Sequence, residues 1–520
     1  MSQNQIWKEY QFLGGHLFLL LYWYIGYDGI TFSDDVTYLN FGQSLWSGEA
    51  FPDDSHFGHR WGAFIFSGFF TFLFGFSDRI GSIASLIFVL GTYSLLYAQL
   101  RDKTQGFWFT LFFCTQVYFL HFTNKVYPDT LLAFWGCLIP VAAVYRNKYP
   151  ISMSIIMAFA FIIGFSTKEM MVFLIPFPIL LCYFDWKKGC SLKFYIYFLS
   201  SSVLVLGFYF AAYQIITGDV LSRFSSVNEG HYISEFTYAD KGLGSVIKRL
   251  TYLPFTNFVE RSYWIWLVFS VPGLIKAFKT RQTFFVEMAL AFVCLMLGFW
   301  FMSSTLEFYN PIYLNPRHLT ILVPASAVLI AFGYSEWKRY KFWIFLLLIL
   351  GAFISILTRD FTMTAYLLGF ALVFFFLLSK PFFKIAISII LILPVILSVA
   401  YQNQNKNFKK FKYILNDSLQ NVNNKEYIII NDFVFFSKNL IISPENLASS
   451  TVKNLKFDID FVLDKGQPFR LFVYKYYRHA YPDEERYLEE LSSKARLSGY
   501  KKKVLYEDQW VEVQVFVKSN

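Results

Sequence analysis

Two adjacent carboxylates, Asp34 and Asp35, come directly after the first long apolar run of the chain. Carboxylates at a membrane surface are costly unless they are solvated, paired or bound to a cation. One of them can serve as a general base on an acceptor hydroxyl while its neighbour orients it or holds a divalent ion. The structural alternative is that the pair caps the helix predicted over Val36–Trp46.

The stretch His56–Arg60 follows about twenty residues later and combines two imidazoles with a guanidinium. His56 and His59 have the spacing that places two rings on one helical face, and Arg60 can pair with a phosphate. We expect Arg60 to contact an anion. For the two histidines, hydrogen bonding at the membrane interface is favoured over a dedicated metal site.

Three more charged residues, Asp129, Lys168 and Arg317, lie where predicted spans begin or end on one side of the membrane. Asp129 follows Pro128 and suits the first turn of a helix, although it can also share a site with Asp34. Lys168 can reach a phosphate or pair with the adjacent Glu169. Arg317 needs an anionic partner, which is either a phosphate or the carboxylates of the first loop.

Composition makes the bilayer the solvent of most of this chain. Its 520 residues are 56% hydrophobic and 16% charged, whereas soluble domains are about 25% charged. Residues 1–400 are apolar runs with short polar loops, and residues 401–520 have the polarity of one small globular domain. No nucleic acid is needed to explain the net charge of +10, because much of it lies in short loops that orient membrane helices. No P-loop or dinucleotide fingerprint is present.

Loop charge predicts the topology. Basic loops stay in the cytoplasm, and their alternation requires that the run Trp61–Phe76 does not cross the membrane. We therefore expect an all-α polytopic membrane protein with about 13 transmembrane helices. Its N-terminus lies inside, Trp61–Phe76 is interfacial or re-entrant, and residues 401–520 lie outside. Chemistry is expected on the exterior face, which the long loops share.

The C-terminal segment is expected to form a small extracytoplasmic α/β domain. Glu426–Ile430, Phe469–Val473 and Val511–Val517 have the alternating or continuous apolar patterns of strands, and Asp483–Ser498 has the pattern of a helix.

These motifs, in this order, resemble the GT-C glycosyltransferases. The resemblance covers about residues 1–335 and is closest to the protein O-mannosyltransferase-like and lipid A aminoarabinose transferase groups. The motifs that carry it are Asp34-Asp35 with Tyr38, the turn Gly75–Arg79, Tyr127-Pro128-Asp129, Lys168, Pro316-Arg317 and Pro324. The chain has Asp34-Asp35 where the family often has Asp-Glu. It has His56–Arg60 in place of the commoner His-Pro-Pro pattern.

The resemblance implies a bacterial inner-membrane enzyme that uses a polyprenyl-phosphate sugar as donor. An extracytoplasmic acceptor, which is a glycan, lipid or protein, would attack the anomeric carbon and displace the lipid phosphate with inversion. Asp34 or Asp35 would be the general base, with Asp129 assisting, and Arg60, Lys168 and Arg317 would bind the phosphate. From their own spacing, His56 and His59 are candidates for contacts with a head group or a divalent metal ion, and membrane lipids would be the remaining partners.

Other classes of membrane protein are the alternatives. A transporter or flippase would show repeats and charges at the midplane of the bilayer, whereas the charges here cluster at the ends of predicted spans. A glycan polymerase or ligase would share the lipid-phosphate chemistry. A non-catalytic scaffold would show no sugar transfer.

Overall fold

The computed structural model describes residues 3–49, 55–230, 237–238, 240–305, 308–420, 426–449 and 451–518. These residues form two compact units. The first comprises residues 1–26, 38–75 and 80–395, and the second comprises residues 27–37, 76–79 and 396–520. The acidic pair therefore belongs to the second unit. The predicted division near residue 400 and the extracytoplasmic position of the C-terminal part stay predictions.

The first unit is helical. Its helices are Gln3–Ile25, Trp61–Phe74, Ile83–Tyr97, Lys103–Phe113, Val117–Thr123, Pro128–Val144, Pro150–Thr167, Pro176–Lys187, Lys193–Thr217, Ser222–Gly230, Gly242–Leu250, Leu253–Glu260, Trp264–Thr280, Thr283–Phe301, Leu322–Gly333, Lys341–Leu357 and Phe361–Leu377, with 3₁₀ turns at Glu169–Leu174, Pro316–Ile321 and Tyr334–Glu336. Helices Asp34–Ser47, Asp78–Gly81 and Phe383–Lys406 include residues of both units.

Length and apolarity make this a multi-pass membrane protein. Within the described residues, seven helices are long and apolar enough to cross a membrane, or up to eight if the bent pair Val117–Thr123 and Pro128–Val144 forms one span. Helix Lys193–Thr217 exposes large apolar side chains such as Phe208 and Ile215, as a lipid-facing helix does. The all-helical membrane fold is thus confirmed, while the total of about thirteen spans stays a prediction.

Helix Trp61–Phe74 bears on the topology. It has 14 residues, which is about 21 Å of helix, and the hydrocarbon core is about 30 Å thick. The helix itself is confirmed. Its length supports the prediction that it lies at the interface or is re-entrant, without testing it.

Aromatic side chains and close helix crossings hold the first unit together. Trp337 lies 4.8 Å from both Trp108 and Phe269, measured between ring centroids. A Cβ on Gly273 would overlap the backbone carbonyl of Leu329, so helices Trp264–Thr280 and Leu322–Gly333 touch through their backbones. Small residues permit such approaches in membrane helices.

The second unit contains a mixed five-stranded sheet. Its strands are β1 (Tyr427–Ile430), β2 (Thr451–Asn454), β3 (Phe469–Tyr474), β4 (Tyr500–Glu507) and β5 (Val511–Lys518), in the order β2-β1-β3-β5-β4. Strand β1 pairs in parallel with β2 and β3, and β5 is antiparallel to β3 and β4. Its helices are Phe408–Gln420, Asp432–Phe436, Lys438–Ile441, Pro444–Ser449, Ile459–Asp464, Tyr477–Ala480 and Glu484–Leu497.

The three predicted strands and the predicted helix of this part are confirmed within a few residues at each end. Strands β2 and β4 escaped prediction. Strand β4 lies at an edge and carries three consecutive lysines that are exposed, which protects a sheet edge from further pairing but hides the alternation that marks a strand.

Candidate active site

Asp35 organises the loop that precedes helix Asp34–Ser47. Its side chain is 1% exposed. Its Oδ2 accepts a hydrogen bond from the Thr31 backbone N–H at 2.6 Å, and its Oδ1 accepts from the Thr31 hydroxyl at 2.8 Å and from the Ser33 N–H at 3.2 Å. Three donors on one buried carboxylate satisfy its oxygens and fix the loop. Asp35 therefore has a structural role in addition to any chemical one.

Asp34 has different surroundings. It is half-buried, and the Ser33 hydroxyl donates to its Oδ1 at 3.2 Å. Both carboxylates lie in the first turn of the helix, so the capping interpretation and the chemical one are compatible. Of the pair, Asp34 is the carboxylate that reaches solvent.

In the first unit, Lys168 is paired with Asp129. Proline at the first helical position starts helix Pro128–Val144 and places Asp129 in its first turn. Lys168 ends helix Pro150–Thr167. Its Nζ donates to Asp129 Oδ1 at 2.7 Å, with both side chains buried. The ammonium group of Lys168 therefore pairs with Asp129 rather than with Glu169. Asp129 is thus the ion-pair partner of a residue that was predicted to bind phosphate.

Glu169 joins two arginines. Arg60 Nη2 lies 2.7 Å from Glu169 Oε2, and Arg223 Nη2 lies 3.0 Å from Oε1. Arg60 also donates to the Tyr38 hydroxyl at 3.3 Å. Arg223 donates to the backbone carbonyl of His59 at 2.6 Å. Burial disfavours the charge of Arg60, but Glu169 and Tyr38 outweigh it and raise the pKa of Arg60.

Arg317 is the second residue of the 3₁₀ turn Pro316–Ile321, and its backbone N–H donates to the Asn315 side chain at 3.1 Å. Its guanidinium carbon lies 5.3 Å from the centroid of the Tyr127 ring, a distance at which cation and ring attract. Tyr127 precedes Pro128, so Arg317 is placed beside the start of the helix that carries Asp129.

Arg317, Arg60 and Lys168 lie close enough for their charges to interact. The pKa of Lys168 is lowered to about 8: burial lowers it most, Asp129 opposes this, and the charges of Arg317 and Arg60 add to the lowering. Lys168 itself lies between the candidate spans Pro150–Thr167 and Glu169–Lys187.

These charged side chains form what we term the basic cluster. Among the described residues it contains four cations and two carboxylates, which leaves two positive charges in excess; its members are Arg60, Asp129, Lys168, Glu169, Arg223 and Arg317. Buried charge needs compensation, and an anion is the simplest source of it.

The two histidines have different surroundings. His59 is buried, with its Nδ1 3.3 Å from the Tyr213 hydroxyl, and the His56 ring packs on Phe57. Over the residues that the structure describes, no three His, Cys, Asp or Glu side chains are grouped so that they could hold a metal ion. The divalent ion stays a prediction, and no step proposed below uses one.

Glu169 as a bridge and Arg223 as a member of the cluster were not predicted. Arg223 lies in the polar helix Ser222–Gly230, whose sequence contains no motif. Only its contacts with His59, Phe165 and Glu169 identify it.

Comparison with known proteins shows the fold. No family model and no curated protein matches the chain. Two solved structures are similar over 96% of this chain and 97% of their own: ArnT from Cupriavidus metallidurans bound to undecaprenyl phosphate, at 13% identity and a TM-score of 0.57, and the same protein in the apo state, at 12% identity and a TM-score of 0.54. The predicted resemblance to GT-C enzymes is therefore confirmed at the level of fold.

Proposed function

We propose that the protein is a membrane glycosyltransferase that takes a sugar from a polyprenyl-phosphate donor. The observation that carries the proposal is the basic cluster, whose two excess positive charges match the charge of the lipid phosphate monoester that leaves when the sugar is transferred, about −1.5 to −2 at neutral pH. Undecaprenyl phosphate in the similar ArnT structure supports a lipid phosphate as this anion. Phosphate binding by fixed cations is also what the departure of a phosphate leaving group requires.

The chemistry follows from the residues. The acceptor oxygen attacks the anomeric carbon of the donor sugar and loses its proton to Asp34. The bond from that carbon to the phosphate oxygen breaks, and its electron pair goes to the lipid phosphate. Arg317 and Lys168 bind the negative charge as it develops, because Lys168 is buried and held by Asp129 and Arg317 is half-buried beside the Tyr127 ring. Attack opposite the leaving group inverts the anomeric centre.

Within the basic cluster we assign different roles to the cations. Arg60 and Arg223 share Glu169, so their charges are partly neutralised and they shape the site. Arg317 and the Lys168–Asp129 pair stand next to the phosphate. Asp129 then orients Lys168 and does not act as a base, because its Oδ1 accepts a hydrogen bond from the Lys168 ammonium.

A thermal-unfolding measurement tests donor recognition. Undecaprenyl phosphate should raise the melting temperature of the purified protein more than undecaprenol, which has the same chain without phosphate, because at equal concentration the ligand that binds the native state more tightly stabilises it more. Equal shifts with the two lipids would show that only the apolar chain is recognised and would contradict the proposal.

The reaction is proposed to face the bacterial periplasm, with residues 401–520 on that side. Cysteine labelling tests this in a variant whose five native cysteines, all free in the structure, are replaced. Ser418→Cys should react with a membrane-impermeant maleimide in intact spheroplasts, and Lys188→Cys only after permeabilisation. The reverse pattern would place the C-terminal segment in the cytoplasm.

A further inference from the structure

The loop before helix Asp34–Ser47 is fixed from two sides. On one side, Asp35 accepts hydrogen bonds from the backbone N–H and the hydroxyl of Thr31. On the other side, the Tyr481 hydroxyl donates to the Thr31 carbonyl at 2.7 Å and lies 3.2 Å from the Phe32 carbonyl. Tyr481 is 450 residues away from Thr31 along the chain. The polar groups of Thr31 are therefore held by the helix that follows and by the C-terminal segment together.

The backbone of Phe32 is in an unusual conformation. Its φ is +61°, which lies in the left-handed region that side chains other than glycine seldom adopt. The Phe32 side chain is 3% exposed. A strained backbone persists only where the surrounding structure imposes it, and such strain is concentrated at functional sites. The packing around this ring must therefore maintain the conformation of the loop.

Aromatic side chains of the C-terminal segment supply that packing. The ring of Phe433 meets the ring of Phe32 edge-on, with 5.1 Å between the centroids. Four further rings lie between 5.9 and 6.3 Å from Phe32 in the same measure, and aromatic pairs at these distances attract each other. The five rings, which we term the aromatic pocket, are those of Phe408, Phe411, Phe433, Tyr474 and Tyr476.

Tyr481 is joined to the aromatic pocket. Its ring stacks on Phe433 with 4.5 Å between centroids and 8° between the planes. Phe433 thus contacts both Tyr481 and Phe32, so ring packing keeps the Tyr481 hydroxyl next to the loop. Burial, together with the nearby charges of Asp35 and Asp34, raises the pKa of Tyr481. The hydroxyl therefore stays protonated at neutral pH and continues to donate.

The beginning of the same loop is anchored as well. The Lys406 ammonium lies 3.4 Å from Asp28 Oδ2, with both side chains buried, and the Tyr474 hydroxyl donates to the Lys406 carbonyl. Separating a buried ion pair leaves an uncompensated charge, which keeps this end of the loop in place. Gly29 has a φ of +86° and meets the Phe408 ring so closely that a Cβ there would overlap it.

We propose that Tyr481 is a positioning residue for sugar transfer: with the aromatic pocket, it holds residues 28–33 in the conformation that places Asp34 against the acceptor oxygen. The inference rests on the proposed function, because it takes Asp34 as the base. Tyr481 bonds to the backbone of the loop and acts on the reaction only through Asp34. A base must lie within about 2.6–3.2 Å of the group whose proton it takes, and a displacement of about 1 Å can cost about 10²-fold in rate. The C-terminal segment thereby completes the active site.

Tyr481→Phe tests this role, because it removes the hydroxyl and keeps the ring that stacks on Phe433. The maximal rate at which label leaves the polyprenyl-phosphate fraction should fall about 10- to 100-fold, while the dissociation constant of undecaprenyl phosphate stays unchanged. Amide hydrogen exchange over residues 28–36 should become faster, since the loop has lost a donor, and exchange over Lys193–Thr217 should not change. Tyr413→Phe, with a side chain that is 72% exposed in the same unit, is the matched control and should alter none of these values.

The two measurements separate a positioning role from a structural one. Unchanged exchange over residues 28–36 in Tyr481→Phe would show that the hydroxyl does not hold the loop and would overturn the inference. A lower melting temperature with a normal rate per folded molecule would assign Tyr481 to stability alone, with the same consequence. A wild-type protein that transfers no label would contradict the proposed function itself, whereas an active wild type with an equally fast Tyr481→Phe variant would contradict only the positioning role.

Discussion

Asp34→Asn is expected to stop sugar transfer while leaving the protein folded and inserted. Asparagine keeps the shape of the side chain and its place in the first helical turn, but it cannot take a proton from an acceptor hydroxyl. Loss of a general base costs about 10²–10⁴ in rate. The assay is the loss of radiolabel from the polyprenyl-phosphate fraction of membranes that contain the protein, because it requires no knowledge of the sugar.

Asp35→Asn should behave differently. An asparagine at this position has one acceptor oxygen, and its amide would face the N–H of Thr31 or Ser33, both of which donate to Asp35. Leaving a buried donor unsatisfied costs about 1–3 kcal/mol, so the melting temperature should fall. Asp219→Asn, at an exposed site, is the control for both measurements. A stable Asp34→Asn protein with normal transfer would remove Asp34 from the mechanism.

The acidic pair shows how far sequence reasoning reaches. Adjacent carboxylates after an apolar run predict both a helix start and a possible base, and the structure gives the helix start at Asp34. The sequence does not separate the two residues, since nothing in their types predicts that Thr31 and Ser33 bury Asp35 and leave Asp34 half-exposed. That difference arises from the conformation of the loop before the helix, which directs Thr31 and Ser33 toward Asp35.

The basic cluster shows the opposite limit. Arg60, Lys168 and Arg317 were predicted one by one, because a cation at the end of a membrane span is unusual. Their partners were not predicted, because Lys168 meets Asp129 39 residues away and Arg60 meets Glu169 109 residues away. Helix packing brings such residues together, and no local periodicity encodes it. The local signal at Pro128 placed a helix start correctly, because it depends only on neighbouring residues.

Arg317→Met should weaken the binding of undecaprenyl phosphate about 10- to 100-fold, since a hydrogen bond to a charged group contributes about 1.5–3 kcal/mol. Methionine keeps apolar length beside the Tyr127 ring, so the fold should persist. The stabilisation by undecaprenol should not change, because that lipid carries no phosphate. Lys248→Met, at an exposed position of helix Gly242–Leu250, is the matched control. An unaltered dissociation constant in Arg317→Met would exclude this guanidinium from the donor site.

Lys168 should give the same binding a pH dependence. Because its pKa is lowered to about 8, the ammonium is present below that pH and is lost as pH rises through it, and a bound anion moves the midpoint upward. The lipid phosphate cannot cause the loss, since its second pKa is about 6 and it is fully charged across this range. We therefore expect the dissociation constant of undecaprenyl phosphate to rise between pH 7 and pH 10. In Lys168→Arg it should stay constant, because a guanidinium remains protonated. A constant value in the wild type would mean that the Lys168 charge does not contribute to phosphate binding, and the role would pass to Arg317 and the arginines that share Glu169.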